Sequence, residues 1–317
     1  MAEIGRDIHK AAALLQKGEL VAVPTETVYG LAGNALDTEV VARIFAVKNR
    51  PEFDPLIVHV PAPNDMEKYV EDVPREAVRL AKLFWPGPLT IVLKKKPGII
   101  PPLVTAGMDT VGLRCPDHAL TRQLLSMLPF PLAAPSANPF GYVSPTNPQH
   151  VNDQLGEKIS YILDGGACPV GIESTILGFE NNVPVIFRLG GLSIERIEAI
   201  VGTVKVMTHS SSNPKAPGQL KSHYAPGKKL IVGNLDEMLQ QYPAHSTGIL
   251  TFTRDFHSPY QRILSRAGNM EEAAANLFQF LRDFDQMPID TIVTELLPPE
   301  GLGRAINDRL LRAAASE

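Results

Sequence analysis

In the run Ala22-Val23-Pro24-Thr25-Glu26-Thr27-Val28-Tyr29-Gly30, a proline at the end of an apolar stretch is followed by two hydroxyls and a carboxylate. Hydroxyls and backbone N–H groups freed at a strand end suit the oxygens of an amino acid or a phosphate. The same residues also describe a capped turn from strand into helix, with Thr25 or Thr27 as N-cap. Further on, Lys48 and Arg50 close a helical run just before Pro51 and Pro55. Such cations either satisfy a helix C-terminus or form a phosphate clamp, Arg50 offering a bidentate fork. His59 lies inside an otherwise apolar strand, where an imidazole is more often a satisfied core residue than a ligand contact.

Arg114 ends the run Thr110-Val111-Gly112-Leu113-Arg114 of small and apolar residues. A guanidinium in that setting is costly unless an anion meets it, and the anion is a carboxylate of the protein or of a substrate. In Ala133-Ala134-Pro135-Ser136-Ala137-Asn138-Pro139, small residues let a ligand approach the backbone, while Ser136, Asn138 and Ser144 offer short polar contacts. Asp164-Gly165-Gly166, Gly171-Ile172-Glu173-Ser174-Thr175 and Arg188-Leu189-Gly190-Gly191 complete the set; taken singly, a glycine pair after a strand is usually a turn. The sequence has no GxxxxGK[ST], GxSxG or HExxH motif, so the chemistry runs through no Walker loop, nucleophile elbow or zinc helix. Its two cysteines, Cys115 and Cys168, supply no metal pair and read as buried thiols.

The elements that must position these groups follow from periodicity. Short apolar runs predict strands over Leu20–Pro24, Leu56–Val60, Leu89–Leu93, Thr110–Arg114, Leu132–Ala134, Tyr161–Asp164, Ser174–Gly178 and Val185–Arg188. Apolar residues at three-and-four spacing predict helices over Arg6–Lys17, Thr38–Val47, Arg75–Phe84, Ala119–Leu128 and Ile194–Val201. Several of the 28 prolines follow a strand end, stopping the ladder and bending the chain into loops that can converge on one edge. From Thr208 to Lys229 the composition is that of a linker, rich in Ser, Pro, Gly and Lys. Beyond it, strands Leu230–Val232, Gly248–Phe252 and Thr291–Glu295 alternate with helices Leu235–Gln241, Met270–Phe284 and Gly303–Ala314. That alternation predicts a small Rossmann-like unit, without the glycine fingerprint of a dinucleotide site. A length of 317 residues fits two domains.

A formal net charge of −4 argues against a surface coated for nucleic acid. The stretch from Ala199 to Leu235 is nonetheless free of acids and holds Lys205, Lys215, Lys221, Lys228 and Lys229. No run is apolar enough to span a bilayer, and the N-terminal residues read as an amphipathic helix rather than a signal, so the expected compartment is the cytoplasm.

Taken in order, the blocks VPTETVYGLAGNA, KNRPEFDPLIVHV, FWPGPLTIVL, VGLRCPDH, LAAPSANPFGYVSPT, DGG, GIESTI and FRLGG resemble the YrdC-like family of threonylcarbamoyl-AMP synthases, in its longer two-domain form. The linker segment PGQLKSHYAPGKK extends the resemblance toward the C-terminus. It implies a twisted mixed α/β sheet around a large concave cavity over 1–207, a linker over 208–229 closing on that cavity, and a small Rossmann-like α/β domain over 230–317. It implies that L-threonine, bicarbonate and ATP give threonylcarbamoyl-AMP and pyrophosphate, with magnesium. A separate tRNA threonylcarbamoyl transferase complex would take the product to the adenosine beside the anticodon, and weak tRNA contact with this chain is left open. Carried over, Thr27, His59, Arg114, Ala134 and Ser174 match threonine-contacting positions. Arg50, Asp54, Thr110, Ser136, Ser144, Arg188 and Tyr224 match positions that touch ATP. Lys48 joins Arg50 as a phosphate-directed cation, and Lys221 is expected near the phosphates. No protein metal site is implied. Asp54 sits least easily in this set, since a carboxylate repels phosphates unless magnesium or ribose hydroxyls intervene. The alternatives are a related enzyme forming carbamoyl-adenylate, whose cysteine-paired zinc motifs this sequence lacks, and a non-catalytic RNA-binding module.

Overall fold

Most strands are two to six residues long, too short to persist except within a shared sheet. The computed structural model describes residues 1–208, 216–218 and 223–315. In chain order come β1 (Glu3–Gly5), α1 (Ile8–Gln16), β2 (Val21–Val23), β3 (Gly30–Asn34), α2 (Thr38–Lys48) and β4 (Ile57–His59). They are followed by α3 (Arg75–Phe84), β5 (Leu89–Lys94), β6 (Thr110–Arg114), α4 (Ala119–Met127), β7 (Leu132–Ala133), α5 (Pro148–Leu155) and β8 (Tyr161–Leu163). The first unit closes with β9 (Thr175–Glu180), β10 (Val183–Arg188), α6 (Ile194–Val201) and β11 (Lys205–Val206). The second contains β12 (Lys229–Val232), α7 (Leu235–Gln241), β13 (Thr247–Thr251), β14 (Gln261–Ile263), α8 (Met270–Asp285), β15 (Thr291–Thr294) and α9 (Gly303–Ala314).

The first unit is one mixed sheet of order β1-β8-β2-β3-β7-β4-β6-β5-β9-β10-β11. The second is a four-stranded sheet, β12-β15-β13-β14, whose pairs are all parallel, as strand–helix alternation predicts. Two pairings in the large sheet bring distant polar residues together. Parallel β4 and β6 set His59 opposite Arg114, and parallel β5 and β9 set Thr90 opposite Ile176, close to the strand start that follows Ser174.

Among the described residues, four strands and one α-helix were not expected from the sequence. Residues 30–34, over which no strand was expected, form β3, a largely buried strand. Its glycines serve close packing: a Cβ on Gly33 would lie 2.6 Å from Val40 Cγ1 of α2. Because a strand follows, Thr25 and Thr27 cap no helix. The polar surface of α5 hid its helical period, although Asn147 caps it by accepting from the His150 N–H and Pro148 starts it. Strands β1, β11 and β14 are edges of two or three residues, too short to show alternation.

The two units share a core. Val28, Val143 and Ile172 of the first pack with Leu277, Phe278 and Leu281 of α8 in one apolar cluster. Docking is close enough that a Cβ on Gly171 would lie 2.4 Å from Ala275 Cα. The small unit is therefore fixed against the large sheet rather than tethered to it.

Candidate active site

The loops at the strand ends converge on one cavity, with about 530 Å3 of space between its walls counting the part open to solvent. Arg50, His59, Arg114, Ala134, Ser136, Ser174, Arg188 and Tyr224 all line it. Residues from three loops, three strand ends and the linker thus meet there, which no local pattern requires.

Arg50 reaches the cavity because α2 stops. Asn49 adopts a left-handed conformation (φ 52°), and the Arg50 N–H closes back on the Phe45 carbonyl. The guanidinium is then fixed by the Asp54 carboxylate at 2.9 Å and by the Asp54 and Pro55 carbonyls at 3.1 and 2.8 Å. Asp54 is fully buried behind Arg50 and does not line the cavity. Burial pushes its carboxyl upward, while Arg50 pulls it back. Lys48 is also directed elsewhere than its expected phosphates: its ammonium donates to the carbonyls of Ser136 and Asn138. Burial, with Arg50 nearby, holds it well below the usual lysine range.

Arg114 meets a carboxylate of the protein. Its Nη2 lies 2.7 Å from Glu26 Oε1 and donates to Thr27 Oγ1 at 2.8 Å. Thr25 Oγ1 accepts from the N–H groups of Thr27 and Val28, shaping the turn that presents both. Thr27 itself is fully buried behind the cavity wall. Burial, with the Arg114 charge adjacent, holds His59 down at about 3. The folded protein therefore keeps this imidazole neutral where the unfolded chain, with an ordinary value near 6.5, takes up a proton. Stability should be intact above about pH 6.5 and fall as the pH drops from there toward 3, by an amount on the order of a few kcal/mol. Urea midpoints across that range check this, and His59→Gln should show a shallower loss; an identical slope would mean other groups carry it.

On the far wall, Arg188 donates from Nε and Nη2 to the Ser174 carbonyl at 3.1 and 3.0 Å, and from Nη1 to the Pro217 carbonyl. Ser174 Oγ lies 2.8 Å from Thr90 Oγ1. The strand-end turn is pinned by Gly190, where a Cβ would sit 2.3 Å from the Glu173 carbonyl. Ser144 is fully buried and donates to the Glu173 carboxylate instead of lining the cavity. Thr110 opens into a smaller recess of about 290 Å3, lined largely by apolar groups including Val92, Ile176 and Ala216. Pro55, Ile57 and Pro217 are walls of both spaces, so the recess adjoins the charged cavity.

The linker supplies a wall. Pro217, Gly218, His223 and Tyr224 line the cavity, whereas Lys221 and Ser222 lie outside the described residues. Tyr224 is buried, with its ring stacked on Phe278 of α8 at a centroid distance of 5.6 Å. Sequence reasoning missed Glu173 and His223 as lining residues. The signal for Glu173 was an acid amid small and apolar residues; His223 stood beside Tyr224 in the same linker motif. Among the described residues no group of three or more His, Cys, Asp or Glu side chains is placed to hold a metal ion.

Comparison with known proteins places the chain in a family. The model of the Sua5/YciO/YrdC family, described as telomere recombination, matches residues 13–190. The model described as threonylcarbamoyl-AMP synthase, C-terminal domain, matches residues 192–315. The threonylcarbamoyl-AMP synthase of Bacillus subtilis is 40% identical over 320 residues, covering 97% of this chain and 92% of that protein. The synthase of Pyrococcus abyssi is 38% identical, covering 97% and 94%. The crystal structure of P. abyssi Sua5 complexed with L-threonine superposes with a TM-score of 0.92 at 38% identity, covering 99% of this chain and 97% of that one.

Proposed function

Because the chain belongs to the threonylcarbamoyl-AMP synthase family, in its two-domain form, we propose that it makes threonylcarbamoyl-AMP and pyrophosphate from L-threonine, bicarbonate and ATP. The observation that carries this reading is the meeting of Arg50, Arg114, Ser174 and Arg188 around one cavity, with the linker as a wall. The same reading divides the chain into a catalytic unit over 1–207, a closing segment over 208–229 and a small unit over 230–317. It places the enzyme in the cytoplasm, handing its product to a tRNA threonylcarbamoyl transferase complex.

Each part of the site has work in that reaction. Arg114, steadied by Glu26 and Thr27, takes the threonine carboxylate, with His59, Ala134 and Ser174 around the amino acid. Arg50 and Arg188 face the phosphates, where negative charge shifts as the bond to pyrophosphate breaks. The apolar recess beside Thr110 suits the planar base, and Ser136 and Tyr224 close on the nucleotide. Lys48 and Asp54 act from behind, one holding the Ser136–Asn138 loop and the other holding Arg50; Ser144 likewise acts through Glu173. Bicarbonate takes up a proton and loses water to give carbon dioxide; the free amine of threonine adds to its carbon and sheds a proton, leaving a carbamate. A carbamate oxygen then attacks the α-phosphorus in line, and pyrophosphate leaves with the bonding pair. A carbamate is short-lived in water, so a site walled by Tyr224, Pro217 and Gly218 protects it. The nearest carboxylates, Glu26, Glu173 and Asp54, are each paired with an arginine. They do not form a resident magnesium cage, and magnesium arrives with the triphosphate as part of the substrate.

Mass spectrometry of nucleotide products decides this. Incubation with ATP, magnesium, bicarbonate and threonine should yield threonylcarbamoyl-AMP with matching pyrophosphate. Omitting either threonine or bicarbonate should abolish both. Pyrophosphate released with carbamoyl phosphate alone, or no release at all, would overturn the reading.

A further inference from the structure

We propose that Arg309, on helix α9 of the second unit, is a positioning residue for the active site that fixes its Glu173 and Tyr224 walls. This rests on the function proposed above. Arg309 is fully buried, and its Nε and Nη2 each lie 3.0 Å from Glu173 Oε2. The same guanidinium stands over the Tyr224 ring, 5.2 Å from its centre. Glu173 and Tyr224 both line the cavity, so one cation from the second unit backs two parts of its wall.

The rest of α9 strengthens the link. Arg312 donates to the Thr208 carbonyl at 2.8 Å, and its own carbonyl accepts from the His223 N–H at 3.4 Å. Arg312 therefore holds the linker segment at two described points, its first residue Thr208 and His223 beside Tyr224. Tyr224 needs that support, since its φ of 66° lies in the left-handed region that a tyrosine adopts only when its surroundings impose it. The effect extends to Arg188 by contact. Gly218 lies so close to both that a Cβ there would be 2.8 Å from the Tyr224 hydroxyl and 3.1 Å from Arg188 Cδ. A shift of the Tyr224 ring is thus transmitted to a phosphate-facing guanidinium. An ion pair whose only task was docking would gain nothing from being buried, since apolar side chains of similar size join two units as well or better. This pair instead stands directly behind the substrate cavity.

Arg309→Met alone leaves a buried carboxylate without its partner and is prone to misfold, so the informative variants are Arg309→Lys and the double variant Arg309→Met/Glu173→Gln. Both are studied as full-length protein, well below their melting temperatures. Hydrogen–deuterium exchange at residues 223–225 should quicken at least tenfold in the double variant. Its KM for ATP should rise tenfold or more, with the KM for threonine changed less than threefold. Arg309→Lys should fall between the double variant and the wild type. Unchanged exchange in the folded double variant would overturn the proposal. So would quickened exchange with an unaltered ATP requirement, which would leave a purely structural pair. Should the wild type form no threonylcarbamoyl-AMP, the functional reading fails on its own, and the exchange arm still judges whether α9 holds the linker.

Discussion

Arg50→Ala should slow pyrophosphate release at saturating substrates by roughly 30- to 1000-fold, the equivalent of about 2–4 kcal/mol of lost transition-state stabilisation. The guanidinium lines the cavity while its remaining donors are fixed on Asp54 and Pro55. It is therefore pre-aimed, and charge developing on the phosphates meets a fixed cation that needs no reorganisation. The same substitution strands Asp54, a fully buried carboxylate, which costs about 3–5 kcal/mol of stability when its partner is removed. The two effects are separable. Adding Asp54→Asn to Arg50→Ala removes the stranded charge and should restore most of the stability, measured by urea unfolding, while leaving the rate low. A rate that recovers with stability would show that Arg50 serves the fold and not the reaction.

Arg114→Ala should raise the threonine concentration needed for half-maximal rate about 100-fold or more, while the ATP requirement moves by less than threefold. A charge-assisted, buried contact to a carboxylate supports a loss of that size. Glu26 adds to it. With Arg114 gone, its carboxylate is left buried beside Thr27, where it repels the carboxylate of an incoming amino acid. Arg114→Ala/Glu26→Gln should therefore bind threonine better than Arg114→Ala alone, though still far below wild type. Steady-state kinetics with each substrate varied in turn checks the split. An ATP requirement that climbs more than the threonine requirement would place Arg114 at the nucleotide.

The two arginines also show how far the sequence could be read. A guanidinium at the end of an apolar strand had to meet an anion, which was legible at Arg114; that the anion inside the protein is Glu26 was not. Lys48 and Arg50 were equivalent as letters two positions apart. The left-handed turn at Asn49 sends Arg50 into the cavity, while Lys48 is left facing the Ser136 and Asn138 carbonyls. Ser144 and Asp54 offered the right groups in the right blocks, yet each is turned toward a neighbouring side chain. Glu173 stood in a block that was read, but its partner Arg309 lies 136 positions away.

What the sequence determined by itself is the content of each segment: which runs become strands or helices, where proline stops them, and which loops bear hydroxyl, carboxylate or guanidinium groups. These follow from periodicity and backbone stereochemistry, which act over a few residues. Only the tertiary structure decided which polar groups face the cavity and which satisfy one another. That choice depends on pairings such as β4 beside β6 and α9 behind Glu173, between residues that become neighbours only when the chain has folded.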